Sequence, residues 1–459
     1  MSRHAAGLLL AAALFATPAH PARADAPPAA KALDPRLGGD AVFEGRSADG
    51  LAYFWRGPKR YDASKGVGLT VILHGSNLSR GWGFANHPSA SFRPDDLVLC
   101  PDGTTSNGKG GFNFLDDPKD VKRLHALLDE AKKAFKVRAT FLYGHSQGSF
   151  FALLYAGEHP EEIDGVVAHA SGMWTNTRLG TPGRHQAIVL MHGTQDPVVP
   201  YAQSVGALDA VAEAGYESAR LYSLEGWNHW PAEVNGDTPH TSQELAWVEG
   251  MTTMDADRLD ACLGVLADVK EKPDHDWAGL HSLARHALGS AFAKEATKAR
   301  ATKAIAVVEA LAKKHAAELA SVKPGAPADG APWMTHLPVF LRQFRGVPAC
   351  DEMATAWKAT IDKQRERAVA HLRKYYGARE KDPATAFEEG TAAVAEGFLW
   401  CETQDLAFLE TLEKWRKDAK KLKLSKKALK DFAVVEGAKA AAKKGSEAYA
   451  SVCRTAGDT

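Results

Sequence analysis

Apolar runs of strand length recur along the first half of the chain, each ending in a glycine-rich or polar exit. LTVILHG (69–75), DLVLCPDG (96–103), Phe141 to Tyr143, IDGVVAHAS (163–171) and QAIVLMHG (186–193) are of this kind, and ARLYSLEG (219–226) is a further expected strand. A run without polar alternation predicts a strand buried on both faces, as in a parallel sheet covered by helices. AVFEGR (41–46) and LAYFWRG (51–57) do alternate, and Ser47 to Gly50 supplies a turn, so these predict an antiparallel pair.

Helical spacing falls between the runs. In Asp120 to Phe135, Val121, Leu124, Leu127, Leu128 and Ala131 share one face, and Phe150, Phe151, Leu153 and Leu154 repeat at helical intervals after the run at Phe141. Alternating strands and helices predict a mostly parallel sheet flanked by helices, closing with the helix Ser242 to Met251. From Asp255 onward Ala, Lys and Glu dominate. Leu259, Leu263 and Leu266 mark one amphipathic helix, and Ile305, Val308, Ala312, His315 and Leu319 mark another. Val322 to Trp333 is a proline- and glycine-rich break, and further helices are expected over Thr355 to Tyr376, Ala384 to Trp415 and Lys426 to Ala450. No repeat period is visible, so this region reads as an irregular all-α bundle. The expected organisation is a leader over 1–24, an extended lead-in over 25–40, an α/β domain over 41–252 and a helical domain over 253–459.

The leader changes the expected compartment. Met1 to His4 carries an arginine, Ala5 to Ala16 is apolar but too short to span a bilayer, and Ala22-Arg23-Ala24 offers small residues for cleavage. The expectation is export to the periplasm or beyond, with no integral membrane segment in the mature chain. Composition adds little. Lys+Arg and Asp+Glu are both 56, which gives no reason to expect nucleic acid as a partner.

Candidate chemistry centres on Gly144-His145-Ser146-Gln147-Gly148, between an apolar strand and an apolar helix. Flanking glycines at this spacing allow a sharp strand-to-helix turn with the serine exposed at its apex. Ser146 is the candidate nucleophile. The N–H of Gln147, at the helix start, is one oxyanion donor, and the N–H of Ser76, in the exit loop His74-Gly75-Ser76-Asn77, is the other, with Asn77 the close alternative. His74, at a strand end, reads as scaffold. Asp196, in HGTQDPVVP, and His229, in GWNHW, each follow a predicted strand. Alone, each is an ordinary turn or packing residue. Together they complete the order Ser, Asp, His, in which an imidazole takes the serine proton and the carboxylate fixes its tautomer.

With HGSN (74–77), GHSQG (144–148), HGTQDPVVP (192–200) and GWNHW (226–230), the stretch Leu69 to His229 resembles the secreted α/β-hydrolase serine esterases that group polyhydroxybutyrate depolymerases with feruloyl esterases. The resemblance implies an α/β-hydrolase fold, a covalent acyl-enzyme, no cofactor and no metal. This chain has Ser76 where that group often has a cysteine, and no polymer-binding module is apparent. Only Gly172 to His185 separates two consecutive strands, leaving no room for a large lid, so the expected substrate is a small or polymeric ester in an open cleft. Trp82, Phe84, Trp174, Trp227 and Trp230 are candidate walls of that cleft, or else core anchors. The rival reading from another class is an envelope-binding or scaffolding protein acting through the helical half.

Three minor features complete the reading. Lys420-Lys421 and Lys426-Lys427 read as solvated helix faces, and Asp274-His275-Asp276 lacks a metal-ligand spacing. Cys100 closes a core strand as a free thiol. Cys262, Cys350, Cys401 and Cys453 allow two disulfides in an oxidising compartment in any of three pairings, with Cys350 to Cys401 favoured, and reduced core cysteines are the alternative.

Overall fold

The structure is a computed structural model that describes residues 29–87, 92–179, 186–194, 196–225, 227–230, 239–267, 275–321, 332–395, 406–429 and 432. The leader, Cys401 and Cys453 lie outside the described residues. A short β1 (Ala29–Ala30) joins β2 (Phe43–Arg46), which pairs antiparallel with β3 (Ala52–Arg56) through Phe43 opposite Trp55. Then come β4 (Val67–Leu73), α1 (Gly81–Asn86), β5 (Asp96–Pro101), the small pair β6 (Thr105–Ser106) and β7 (Phe112–Asn113), and α2 (Pro118–Ala134). Next are β8 (Val137–His145), α3 (Gln147–Glu158), β9 (Gly165–His169), β10 (Ala187–Gly193), α4 (Tyr201–Glu213), β11 (Ala219–Leu224) and α5 (Pro239–Thr252).

One nine-stranded sheet runs β1-β2-β3-β5-β4-β8-β9-β10-β11, parallel from β5 to β11. The apolar runs are its centre, and β4, β5, β9 and β10 are buried along their whole length. The order of connection reverses between β4, whose successor lies to one side, and β8 on the other. The carboxyl ends at such a reversal frame a crevice.

Pleating divides the side chains between two cores. Leu142, Val166, Ile188 and Leu190 face Leu124 and Leu128 of α2, Phe151 and Leu154 of α3 and Leu208 of α4. Tyr143, Val167, Val189 and Met191 face Leu245 and Val248 of α5. The start of α2 has a local cause: Asp117 caps it by accepting from Lys119 N–H at 2.8 Å, and Pro118 follows in the first turn, where its missing N–H costs nothing.

The second core continues without a break into the helical half. Leu259 and Leu263 of α6 (Ala256–Ala267), Leu280 and Leu283 of α7 (Trp277–Gly289) and Val308 of α8 (Glu295–Ser321) all join it. Beyond lie α9 (Pro332–Gln343), α10 (Pro348–Ala378), α11 (Pro383–Ala395) and helices over Leu406–Lys417 and Ala419–Leu422. Pro332 and Trp333 open α9 and do not belong to the preceding break. Lys420, Lys421, Lys426 and Lys427 are exposed. No helix among the described residues is long and apolar enough to cross a membrane.

Buried ion pairs fasten the helices to the sheet. Glu249 of α5 meets Arg93 at 2.8 Å, Arg138 of β8 at 2.9 Å and Arg258 of α6 at 2.7 Å. Burial opposes its charge, but these three guanidinium groups draw its carboxyl down to about 2. A second network joins Arg220 of β11 to Glu244 of α5 and, at 2.5 Å, to Asp276. Asp276 also caps α7 by accepting from Gly279 N–H, so this residue has structural work.

The cysteines correct one expectation. Cys100 is a buried free thiol as read from its strand, but Cys262 and Cys350 are buried free thiols too. Cys262 packs in the core between α5 and α7, and Cys350 lies 3.8 Å from the Phe340 carbonyl. Burial pushes the Cys350 thiol up to about 12.

Candidate active site

The turn after β8 holds Ser146 at φ 51° and ψ −125°, a conformation that non-glycine residues adopt only under constraint. Its N–H donates to His169 C=O at 2.9 Å, which fixes the turn against β9. The serine makes no side-chain cap to α3, leaving its hydroxyl uncommitted there. Gly148 makes the turn possible: a Cβ at that position would stand 2.3 Å from the Leu73 carbonyl oxygen. The Gln147 N–H sits at the start of α3, where no intrahelical acceptor exists and the helix dipole is positive.

The exit of β4 lies directly alongside. A Cβ on Gly75 would be 3.3 Å from Ser146 Cβ, so this loop and the serine are in contact. Ser76 and Asn77 differ in the partners of their N–H groups. Asn77 donates its N–H to Asn113 Oδ1 at 3.1 Å, whereas the Ser76 N–H has no hydrogen-bond acceptor among the described residues. His74 is scaffold, as its position suggests. Its Nε2 accepts from Gly103 N–H at 3.1 Å, so its Nδ1 carries the hydrogen donated to Gly75 C=O at 2.8 Å. Burial brings its pKa down to about 4 and keeps it neutral.

Asp196 and His229 are brought together. His229 Nδ1 lies 2.7 Å from Asp196 Oδ2, and both side chains are buried. Asp196 Oδ1 accepts from Val198 N–H at 2.8 Å and Val199 N–H at 2.9 Å. Burial pushes against ionisation, but hydrogen bonds from His192 and His229 outweigh it and hold this carboxyl well below its usual range. An ionised Asp196 requires the hydrogen of His229 on Nδ1, which leaves Nε2 as the basic nitrogen. The loop reaches this position because Gly193 has no side chain; a Cβ there would meet Trp227 and Asn228 carbonyl oxygens at 2.4 Å.

Three histidines that the sequence reading left aside belong to the same cluster. His192 Nε2 lies 3.2 Å from Asp196 Oδ2 and 2.9 Å from Val199 C=O, so it faces two acceptors and must carry hydrogen. His145 and His169 are fully buried with Nδ1 atoms 3.2 Å apart. His145 stacks on Trp82 with ring centroids 5.0 Å apart and lies 5.0 Å from the His229 ring. Burial and then the neighbouring histidines hold His145 far below the ordinary imidazole range, and His169 is brought to about 3. The signal in the sequence was their common place: each stands at or next to the carboxyl end of a parallel strand.

The aromatic candidates separate. Trp230, 38% exposed, covers the His229 ring edge-on at 5.3 Å, and Trp82 borders the same cluster through His145. Trp174 packs on Phe150 of the first turns of α3, at 5.9 Å. Trp227 turns towards His240 and the core, and Phe84 packs under Arg56, so these two are anchors.

Residues 117–233 match the phospholipase/carboxylesterase family. Over 107 residues the chain is 25% identical to a 1-acylglycerol-3-phosphate O-acyltransferase of Arabidopsis thaliana, covering 23% of this chain and 26% of that protein. The chain thus spans about a quarter of the length of this curated relative. Similar solved structures include a Bacillus cereus carboxylesterase, at 18% identity over 44% of this chain and 94% of that one with a TM-score of 0.34. Another is Est1E from Butyrivibrio proteoclasticus with ferulic acid bound, at 20% identity over 39% and 88% with a TM-score of 0.31. The first half of the chain has an α/β-hydrolase fold and is followed by an all-α region, and within it residues 117–233 resemble the phospholipase/carboxylesterase family.

Proposed function

We propose that the protein is an exported serine hydrolase that cleaves carboxylic esters through a covalent acyl-enzyme. The observation that carries this reading is the His229 to Asp196 hydrogen bond of 2.7 Å, with the His229 ring 5.0 Å from that of His145, the residue before a serine held at positive φ. In the reaction, Ser146 Oγ attacks the ester carbonyl as His229 Nε2 takes its proton, and the ionised Asp196 stabilises the imidazolium. The N–H groups of Gln147 and Ser76 receive the negative charge on the carbonyl oxygen. His229 then returns the proton to the leaving alcohol. Water, deprotonated by the same imidazole, attacks the acyl carbon and releases the acid with Ser146 restored. Trp82 and Trp230 would flank the substrate, which suits a small or polymeric ester more than a long buried lipid chain.

The test is hydrolysis of chromogenic esters from acetyl to long-chain, with a hydroxycinnamate among them, by mature protein and by Ser146→Ala. Turnover and fluorophosphonate labelling that both vanish in the variant are the expected result. Turnover that survives Ser146→Ala would remove the serine mechanism, and its absence in both proteins would return the helical half, as a binding module, to the centre. Export rests on the Arg3, Ala5 to Ala16 and Ala22-Arg23-Ala24 pattern. Cell fractionation with N-terminal sequencing checks it: a cytoplasmic chain still starting at Met1 would end that part of the proposal.

A further inference from the structure

At the far end of α3 from Ser146, a second cluster of ligating side chains gathers where α2 passes the segment leading to β9. With twelve residues, α3 separates the two places by about 18 Å. His125 Nδ1 is 2.7 Å and His159 Nδ1 3.3 Å from the same atom, Glu162 Oε1. One ligating atom from each of the three lies within 4.8 Å of the other two. The imidazole rings stack with centroids 5.3 Å apart and planes 20° from parallel, which points both Nδ1 atoms to one side.

The carboxylate is held in place from behind. Tyr155, buried in α3, donates its hydroxyl to Glu162 Oε2 at 2.9 Å and stacks on His159 at 4.8 Å. An outer hydrogen bond of this kind orients a ligating carboxylate and leaves its other oxygen for the ion. Asp129 lies 3.9 Å from His125, and Lys132 lies 3.9 Å from Glu162 Oε2 on the other side of the carboxylate. Glu162 is 12% exposed while His125 is 43% exposed, so the site opens to solvent on one side.

We propose that His125, His159 and Glu162 form a binding site for a divalent transition-metal ion of the zinc class, remote from the ester-cleaving centre. Two nitrogens and one carboxylate oxygen with an open side suit a four-coordinate ion at about 2.0–2.2 Å from each ligand, with water in the fourth place. His125 Nδ1 is buried and makes no hydrogen bond although it stands 2.7 Å from Glu162 Oε1, so the site holds an unsatisfied nitrogen aimed at a carboxylate oxygen, which a shared ion would satisfy. It would also tie α2 to the loop after α3.

The experiment is calorimetric titration of chelator-treated mature protein with ZnCl2, repeated with Glu162→Gln and His125→Ala, with a CoCl2 titration read by visible absorption. One equivalent bound at micromolar concentration, a tetrahedral cobalt spectrum, and affinity weakened about tenfold or more in both variants are expected. Both variants should keep their ester turnover and circular dichroism, which shows that they fold. Zinc binding equal in the variants, or no binding below millimolar zinc, would overturn the proposal and leave a plain His-Glu charge cluster.

Discussion

His229 Nδ1 and Asp196 Oδ2 stand 2.7 Å apart in buried surroundings, while the other carboxylate oxygen takes two backbone N–H groups from the turn that follows. The turn holds the carboxylate, and the carboxylate holds the ring. Asp196→Asn keeps the shape but offers His229 a neutral partner that tolerates the wrong tautomer, so kcat should fall by roughly 10⁴-fold with KM little changed. A loss below about tenfold in esterase assays would show that Asp196 does not orient the base.

Gly75 separates positioning of the oxyanion loop from the serine itself. Its added methyl would press on Ser146 Cβ at 3.3 Å and His145 Cδ2 at 3.2 Å, both fixed by packing. The loop must give way and take the Ser76 N–H with it. Gly75→Ala should therefore lower kcat by up to about 100-fold, a fraction of the cost of losing an oxyanion donor outright, with fluorophosphonate still labelling Ser146 slowly. Unchanged kcat would assign the second donor elsewhere.

Where chemistry stands at a strand exit, the sequence was readable: apolar runs announced β4, β5, β8, β9 and β10, a mixed stretch announced β11, and the motif order put Ser146, Asp196 and His229 in the loops after three of them. What it concealed came from tertiary packing. His145, His169 and His192 look like ordinary strand-end histidines until three neighbouring strands set them side by side. The helices α4, α7 and α9 went unread, and for α7 the signal was present, with Leu280, Leu283, Ala284 and Ala287 at helical spacing. Cysteine pairing was not legible either, since Cys262 and Cys350 are placed by different helix contacts and each fills a core position as a thiol.

A long-range ion pair ties the helical half to the site. Arg342, at the end of α9, donates to both oxygens of Glu225 at 2.6 and 2.9 Å across 117 positions, and the neighbouring Gln343 donates to Ser223 C=O at 2.9 Å. Glu225 directly follows β11 on the way to His229. Arg342→Met leaves the Glu225 side chain, 6% exposed, without its guanidinium; with Arg342 itself partly exposed, the expected loss is about 1–3 kcal/mol in urea unfolding. Adding Glu225→Gln should restore more than half of it, because the cost lies in the unpaired charge. A double variant as unstable as the sum of two singles would refute the coupling.

Buried neutral histidines make the fold sensitive to acid, and His87 isolates the effect. It stacks on Phe92 at 4.4 Å, neither ring nitrogen has a hydrogen-bond partner, and burial, then the charge of Arg56, brings its pKa to about 3. In the unfolded chain the same ring titrates near 6.5, so below that pH the unfolded state binds a proton that the native state refuses. Stability from this group is complete above pH 6.5 and is lost as pH falls towards 3. Between pH 7 and pH 5 the loss is about 2 kcal/mol. His87→Leu removes the titrating group, so its unfolding free energy should fall by about that much less than the wild type's over the same interval, whatever its absolute stability. Parallel curves for the two proteins in urea titrations at pH 5, 6 and 7 would mean that His87 is hydrated or protonated in the native state.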